Sequence, residues 1–319
     1  MTMVGGSDTA TAYAQLVADV HSRPRGKAHV IVFANEKGGV GKSTLAFHAS
    51  IALANAGASV LAIDCDTRQQ SLHGALENRR GTMTCLGVAL PCPRSAVVER
   101  LGPTALLQEI ARLGDGCRFV VIDAPGFDTP TARAAIALAD TLVTPLNASF
   151  VDLSHLGRFN PADMSVTRLG PFGTVVAGLQ QARVERGIGG ADWLLLKNRV
   201  RGNEARQQER VDRAIALLAD RLGARVGSGF GERVGYRELF MFGLTHPDVA
   251  RIPQLGAIKA RPTNEVERML AELRLPPVEV SAPRKEAPQV RVLEQTRSNY
   301  LTALRSHVAQ QSPALQALG

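Results

Sequence analysis

A chain of 319 residues, of which 45% are hydrophobic and 4% aromatic, is long enough to bury a core built mainly of Ala, Leu and Val. Its net charge of +8 predicts an acidic partner such as nucleic acid or a membrane surface, although an inert basic surface fits the charge equally well. The four cysteines form no CxxC pair and have no histidine pair nearby, which argues against a zinc site and a disulfide framework. Because neither a signal-peptide core nor a run of about 18 apolar residues occurs, we expect a cytoplasmic protein.

The predicted elements alternate between strands and helices from His29 onwards. Before them, residues 1–28 form an N-terminal extension in which DTATAYAQLVADVH has the pattern of a short amphipathic helix. Apolar, β-branched runs predict five strands: HVIVFA, SVLAID, CRFVVIDAP, TLVTPLN and DWLLLKNR. Helices are predicted in STLAFHASIALANAG, which ends at Gly57, in TARAAIALAD, and from about Asn203 to Leu222.

This alternation predicts an α/β fold with a mostly parallel, doubly wound sheet and helices on both faces, joined by right-handed βαβ crossovers. We expect one main domain over residues 29–275. A linker rich in proline and charge follows over residues 276–289, and residues 290–319 form a helical or disordered C-terminal tail.

The stretch NEKGGVGKSTLAFH lies between the first buried strand and the first helix of the main domain, as a phosphate-binding loop requires. Its glycines allow a tight turn whose N–H groups point at phosphate oxygens, and the helix N-terminus adds further donors. In such a loop Lys42 neutralises the β- and γ-phosphates, Ser43 ligates Mg²⁺ and Thr44 contacts the α-phosphate. A glycine-rich turn with incidental lysines is the alternative. The predicted nucleotide-binding residues of the loop are Gly38, Gly39, Val40, Gly41, Lys42, Ser43 and Thr44.

A second lysine, Lys37, opens the octapeptide KGGVGKST, and a generic P-loop does not require it. With this deviant Walker A pattern, KGGxxGK[ST], the chain resembles the ParA/MinD family of P-loop ATPases, which have the SIMIBI type of P-loop NTPase fold. The resemblance implies that ATP and Mg²⁺ close a homodimer in which Lys37 reaches the phosphates bound by the partner subunit. A second cation would offset charge at the transferring phosphoryl group, which agrees with that role. Lys37 and Lys42 are therefore candidate catalytic residues.

Carboxylates end the second and third predicted strands. Asp64 and Asp66 are two residues apart in IDCDTRQQS, so both face one side at the carboxyl edge of the sheet, where ligands bind in open α/β folds. The family resemblance implies that Asp66 orients or activates the attacking water and that Asp64 lies near the metal. Asp123 in VVIDAPG is placed to hold Mg²⁺ through water. The family resemblance implies that Gly126 lets the following loop sense the γ-phosphate, as the switch II segment does in relatives. Two ordinary strand-end carboxylates are the alternative for the first pair.

A late strand ends in LLLKNR, whose Asn198 and Arg199 resemble the residues that read adenine in the family. A plain turn is the alternative for this asparagine.

Four segments outside the nucleotide motifs resemble the MipZ branch of the family: RQQSLHGALENRR, TPLNASFVDLSHLG, DWLLLKNR and GERVGYRELFMFGLTHPDV. That resemblance implies a nucleoid-associated ATPase whose dimer binds DNA non-specifically, interacts with a ParB-like centromere-binding protein and inhibits FtsZ assembly, which positions the division plane.

The long helix predicted after Asn203 separates into an apolar stripe and an arginine stripe at about 100° per residue. The apolar stripe faces the core. The arginine stripe predicts contacts with a phosphate backbone, although a solvated face beside Glu209 and Asp220 is an equal alternative. The candidate DNA-binding residues are Arg199, Arg201, Arg206, Arg210, Arg213 and Arg221.

Several functional alternatives stay open at this stage. The tail has a thin apolar face without Phe or Trp, which favours partner docking or disorder over a membrane anchor. A ParA-type chromosome or plasmid partition ATPase would use the same chemistry on a different client. A metabolic or redox enzyme and a cellulose-synthesis-associated ATPase also occur on this scaffold. The cysteines, however, match poorly the pair that a bridging iron–sulfur cluster needs.

Overall fold

The strands and helices are defined in a computed structural model that describes residues 6–23, 26–147, 149–198, 205–231, 234–255, 264–278 and 294–309. The strands in these ranges are β1 His29–Phe33, β2 Val60–Asp64, β3 Arg94–Val97, β4 Phe119–Asp123, β5 Thr141–Asn147, β6 Gly157–Phe159, β7 Val166–Leu169, β8 Asp192–Asn198 and β9 Arg225–Gly227. The helices are α1 Gly6–His21, α2 Lys42–Asn55, α3 Ser71–Leu86, α4 Pro103–Leu113, α5 Pro130–Leu138, α6 Phe150–Leu153, α7 Pro171–Glu185, α8 Ala205–Leu222, α9 Val234–Met241, α10 His246–Arg251, α11 Glu265–Glu272 and α12 Glu294–Ala309.

Seven strands form one parallel sheet in the order β3-β2-β4-β1-β5-β8-β9. Strand β1 lies at its centre and pairs with β4 on one side and β5 on the other. Successive β1 residues alternate between two cores: Val30 and Val32 face one cluster, and Ile31 and Phe33 face the other. Because helices cover both faces, the central strands are apolar throughout. The predicted α/β fold with a mostly parallel, doubly wound sheet is confirmed.

The sequence analysis missed the two edge strands, β3 and β9, and the antiparallel hairpin of β6 and β7. Each of these strands has only three or four residues and contains an arginine. Edge strands are half solvated, so they lack the continuous apolar run that reveals a central strand.

Helix α1, which the sequence predicted, packs on the main domain beside α5 and α7. Tyr13, Val17 and Val20 are buried in the same core cluster as Val30. The packing is close at Gly178, where an added Cβ would lie 2.5 Å from the Tyr13 ring. The first helix is therefore part of the packed structure in residues 6–23.

Helix α12 packs against α3 and α9 of its own chain. Leu304 is fully buried, Arg297 donates to the Leu86 carbonyl at 2.7 Å, and the Tyr300 hydroxyl bonds with Thr82. Most of the predicted linker, from residue 279 onwards, lies outside the described residues, and the divisions at residues 28, 275 and 289 stay predictions. Within the described ranges, no helix is both long and apolar enough to cross a membrane.

A buried ion pair joins α3 to α10. The Arg79 guanidinium donates to both oxygens of Asp248, at 2.7 and 2.9 Å, and to the Gly243 carbonyl at 3.0 Å. Burial alone would raise the pKa of Asp248, but the hydrogen bonds and charge of Arg79, with those of Thr245, hold the pKa below its usual value. Gly243, with φ of 63°, must be glycine, because an added Cβ would lie 2.1 Å from the Arg79 backbone nitrogen.

We expect Arg79→Met to lower the free energy of unfolding by about 3–5 kcal/mol, because Asp248 would be left as an unpaired buried charge. Urea denaturation followed by circular dichroism measures this loss. Arg112→Ala is the control, since Arg112 is exposed and pairs with Glu109 on the surface. A loss no larger than that of the control would mean that the buried pair does not anchor α10.

Candidate functional site

The loop between β1 and α2 turns sharply at two glycines. Gly39 and Gly41 have φ of 73° and 93°, in the left-handed region that residues with a side chain rarely adopt. Gly41 is the N-cap of α2, and among the described residues no side chain caps the helix there. The N–H groups of the first turn of α2, which contains Ser43 and Thr44, are therefore available to an anion.

Asn35, which the sequence analysis did not single out, ties this loop to β5. Its buried amide donates to the Pro145 carbonyl at 2.7 Å, and its Oδ1 accepts the backbone N–H of Lys37 at 3.0 Å. An asparagine directly after a strand is also a common turn residue, so the sequence signal is weak. The contact fixes the first half of the loop against the neighbouring strand.

Asn198, at the end of β8, also contacts this loop. Its Nδ2 donates to the Val40 carbonyl at 2.8 Å, and an added Cβ on Gly41 would lie 2.1 Å from that nitrogen. Gly41 must therefore be glycine for two reasons: its φ is positive, and Asn198 leaves no room for a Cβ. The adenine-reading role of Asn198 stays a prediction, and Arg199 lies outside the described residues.

Lys42 is buried between the loop and the strand ends. Its Nζ donates to the Lys37 carbonyl at 3.2 Å. Burial lowers the pKa of Lys42, while the nearby charges of Asp123 and Asp66 oppose that shift. The loop after β4 passes close by, because an added Cβ on Gly126 would lie 3.3 Å from the Lys42 ammonium and 3.9 Å from Gly38. The predicted switch segment and the P-loop lysine are therefore in contact range.

Asp64 and Asp123 are direct register partners on the adjacent parallel strands β2 and β4. Asp64 accepts three backbone N–H groups, from Asp66, Leu72 and His73, at 2.9–3.1 Å. Burial nevertheless raises the pKa of Asp64 above its usual value, and these hydrogen bonds only reduce the shift. One of its tasks is thus to hold the start of α3, alongside the metal role predicted for it.

Asp123, unlike Asp64, has few hydrogen bonds to described residues. Burial, and next the charge of Asp64, raise the pKa of Asp123 to about 8, although Ser43 and Lys42 are near enough to lower it. Neither oxygen makes a well-formed hydrogen bond with any described residue. A buried carboxylate in this condition, beside a serine hydroxyl, fits a hard cation such as Mg²⁺.

Asp66 lies on the loop after β2, half buried. Its Oδ1 accepts the backbone N–H groups of Arg68 and Gln69, both at 3.0 Å, which closes a tight turn before α3. The residue is near enough to affect the pKa of Lys42. The structure therefore brings together Lys42, Ser43, Asp64, Asp66 and Asp123. It contains no group of three or more His, Cys, Asp or Glu side chains in the described ranges that would hold a metal, so phosphate and water would complete the coordination of Mg²⁺.

The Lys37 side chain contacts a carboxylate outside this group. Its ammonium pairs with Asp152 on α6, the short helix that follows β5. The sequence analysis assigned no role to Asp152: its segment, TPLNASFVDLSHLG, resembles the MipZ branch, but the resemblance there concerns the whole segment and no single residue. The available signal is topological: β5 neighbours β1, so the residues that follow both strands meet at the same edge of the sheet.

The arginines predicted to bind DNA are only partly described. On α8, Val211, Ile215 and Leu218 are buried, as the helical pattern predicts. The arginines of that helix whose side chains are described are all exposed: Arg210, Arg213 and Arg221. Arg199, Arg201 and the side chain of Arg206 lie outside the described residues.

A two-lysine P-loop at the carboxyl edge of a parallel sheet, with aspartates ending β2 and β4 beside it, defines a P-loop ATPase of the ParA/MinD type. Residues 29–277 match the family model described as ATPase MipZ. The chain belongs to that family.

Two curated relatives match shorter stretches. The chromosome-partitioning ATPase Soj of Thermus thermophilus is 32% identical over 147 residues, which cover 40% of this chain and 59% of Soj. An uncharacterized ATP-binding protein of Methanocaldococcus jannaschii is 30% identical over 183 residues, which cover 50% of this chain and 66% of that protein. The chain thus spans less than two thirds of the length of either relative.

Solved structures of Cyanothece McdA share the fold. The apo form is 21% identical, with a TM-score of 0.50, and the match covers 76% of this chain and 99% of McdA. The ATP complex of an aspartate-to-alanine variant is 19% identical, with a TM-score of 0.54, and the match covers 78% of this chain and 96% of McdA.

The pKa of Asp123 predicts a pH-dependent metal site. Mg²⁺ requires the carboxylate, so protons compete with the metal below pH 8, and we expect the apparent affinity for Mg²⁺–nucleotide to rise up to about tenfold per pH unit between pH 6.5 and 8. A fluorescent ATP analogue titrated with Mg²⁺ at several pH values measures this.

Asp123→Asn is expected to affect Mg²⁺-dependent nucleotide binding and thermal stability in opposite directions. Because a raised pKa makes folding less favourable as pH rises from about 4 to 8, we expect the variant to raise the melting temperature of the nucleotide-free protein at pH 8 while abolishing Mg²⁺-dependent binding. Asp115→Asn, an exposed substitution, should change neither. A pH-independent affinity for Mg²⁺ would contradict the role given to Asp123.

Proposed function

We propose that this protein is an ATP-dependent dimerisation switch that positions the cell-division plane. The different surroundings of its two P-loop lysines carry the proposal. Lys42 is buried near Asp66 and Asp123 of its own chain, whereas Lys37 lies towards α6 with 29% of its side chain exposed. A lysine at this partly exposed position can contact phosphates bound by a second copy of the chain. Membership in the MipZ family supports the same interpretation.

The proposed reaction is slow hydrolysis of ATP that acts as a timer. Water attacks the γ-phosphorus, the bond to the bridging oxygen breaks, and ADP leaves. Asp66 orients the water, while Lys42 and the partner subunit's Lys37 offset the developing charge. Ser43 and Asp123 would hold Mg²⁺, which would supply positive charge to offset that of the phosphates.

The dimer is proposed to bind DNA without sequence specificity. The exposed arginines of α8 and the net charge of +8 support this, because phosphate contacts supply most of non-specific affinity. One copy offers a small patch, and pairing two copies doubles it and raises avidity. The state of the nucleotide would thereby control the time spent on the nucleoid.

The proposed clients are a ParB-like centromere-binding protein and FtsZ, in keeping with the MipZ family. A ParA-type partition ATPase is the second candidate, because the similarity to a chromosome-partitioning ATPase favours it. Both hypotheses share the ATP switch and place the protein on the nucleoid in the cytoplasm. They differ in whether FtsZ responds to the dimer.

The switch predicts opposite phenotypes for two variants. Asp66→Ala should dimerise with ATP and stay on DNA, because hydrolysis is abolished while binding remains. Lys37→Ala should stay monomeric, because the trans cation is missing. Size-exclusion chromatography with ATP and Mg²⁺, followed by DNA co-sedimentation, measures both, with wild type and Asp163→Asn as controls.

Identical behaviour of all these proteins would refute the roles of Lys37 and Asp66. The trapped Asp66→Ala dimer is then added to polymerising FtsZ. A decrease in polymer mass supports the division-plane function, and unchanged FtsZ favours the partition function instead.

The α8 arginines predict a salt-dependent interface. We expect Arg210→Ala with Arg213→Ala, made in the Asp66→Ala background, to weaken DNA binding at least tenfold without preventing dimerisation. The slope of log affinity against log salt should fall by about 0.9 for each DNA phosphate that the protein no longer neutralises. Fluorescence anisotropy with duplex DNA at several salt concentrations measures both effects.

Arg112→Ala with Arg186→Ala is the matched control, because it removes two exposed arginines from other surfaces. Equal DNA affinity and an equal salt slope in both double variants would mean that α8 is not part of the DNA interface.

A further inference from the structure

Helix α1 lies outside residues 29–277, which match the family model, yet it packs on α5 and α7 of the main domain. Tyr13 of α1 is buried in this contact. The Arg133 guanidinium of α5 lies 5.8 Å from the centre of the Tyr13 ring, within the range of a cation–π interaction. Gly178 of α7 also approaches the ring, since an added Cβ there would lie 2.5 Å from it. Tyr13 therefore contacts both α5 and α7.

Arg133 in turn binds the β4 loop, residues 124–129, which joins β4 to α5. Its guanidinium donates to both oxygens of Asp128, one of them at 2.7 Å. A partly exposed ion pair usually contributes little to stability, but a bidentate arginine–carboxylate pair fixes the relative orientation of the two groups. The Tyr13 ring restricts the arginine further. Helix α1 is therefore connected to the β4 loop through Arg133.

The β4 loop also approaches the lysine of the phosphate loop. The N–H of Ala124 donates to the carbonyl of the last residue of β1 at 3.0 Å, which fixes the start of the β4 loop. An added Cβ on Gly126 would lie 3.3 Å from the Lys42 ammonium. Asp128 lies two residues further on, so Arg133 holds the far end of the segment that contains Gly126.

A second contact connects the β4 loop to the turn that contains Asp66. Phe127 is 45% exposed, and the Arg68 guanidinium lies 6.0 Å from the centre of its ring. The backbone N–H of Arg68 donates to Asp66, the residue proposed to orient the attacking water. The position of Phe127 therefore affects the turn of Asp66 through Arg68.

Arg133 also offsets the repulsion between two carboxylates. Burial, and next the charge of Asp128, raise the pKa of Glu36, and the charge of Arg133 opposes that shift. Glu36 directly precedes Lys37 in the phosphate loop. Loss of the arginine from this position would leave two neighbouring like charges, which favours separation of the β4 loop from the phosphate loop.

We propose that Arg133 is a positioning residue that holds the β4 loop in place for ATP hydrolysis, and that α1 sets its position through Tyr13. This inference rests on the proposed function, in which ATP hydrolysis is the timer. Helix α1 controls the rate of that timer without contacting the nucleotide. Because α1 lies outside residues 29–277, this regulation belongs to the extension of this chain and not to the region that matches the family model.

Two substitutions of Tyr13 in the full chain test the proposal. Tyr13→Leu keeps an apolar side chain but removes the aromatic face, and Tyr13→Phe is the matched control because it retains the ring. We expect Tyr13→Leu to lower kcat for ATP hydrolysis about fivefold with KM for ATP unchanged, because the phosphate loop keeps its contacts. Tyr13→Phe should retain the wild-type kcat. A phosphate-release assay measures both constants, and thermal melting followed by circular dichroism verifies that each variant is folded.

A double variant tests whether Tyr13 acts through Arg133. Arg133→Ala should lower kcat at least as much as Tyr13→Leu, and combining the two should lower it no further than Arg133→Ala alone. Losses that multiply in the double variant would overturn the proposal. A kcat of Tyr13→Leu that is not lowered, or an equal loss in Tyr13→Phe, would overturn it as well. Wild-type protein that hydrolyses no ATP would overturn the proposed function and this inference together.

Arginine labelling tests the contact without requiring hydrolysis. In the nucleotide-free protein we expect Arg133 to react with phenylglyoxal several-fold faster in Tyr13→Leu than in wild type or Tyr13→Phe, because its guanidinium is less restricted. Arg158, which is exposed, serves as the internal reference, and mass spectrometry quantifies both sites. Equal rates for Arg133 in the three proteins would overturn the role of Tyr13, whatever the outcome for the proposed function.

Discussion

The position of β1 between β4 and β5 is the constraint on which the site depends. A parallel strand buried on both faces delivers its loop to the carboxyl edge of the sheet, together with the loops of both neighbours. The β4 side supplies Asp123, which lies near Lys42, and the β5 side supplies Asp152, which pairs with Lys37. The strand order therefore decides which lysine meets which carboxylate.

Burial, rather than charge pairing alone, sets the electrostatics of this edge. It lowers the pKa of Lys42 and raises the pKa of Asp64 and of Asp123, so each group is shifted towards its neutral form. Such a site is stabilised most by a ligand that carries both negative and positive charge. A triphosphate with a divalent cation is such a ligand, and it would restore the charged forms of the lysine and the carboxylates.

The terminal helices extend the packed structure beyond the sheet. Tyr13 of α1 and Leu304 of α12 are both buried against the main domain. The surfaces beneath these helices are thus covered by the chain itself. The proposed contacts with a second copy and with DNA use other surfaces, at the carboxyl edge of the sheet and on the outer face of α8.

The sequence by itself determined the central strands, the phosphate loop and the carboxylates at the strand ends, because these features depend on local backbone geometry and on apolar periodicity. Only the tertiary structure decided the edge strands, the anchoring of the loop by Asn35 and the partner of Lys37. Asn35 bonds to Pro145, and Lys37 to Asp152, each more than 100 positions away in the chain. No local pattern encodes such contacts, because they arise when strand pairing brings distant loops to one edge of the sheet.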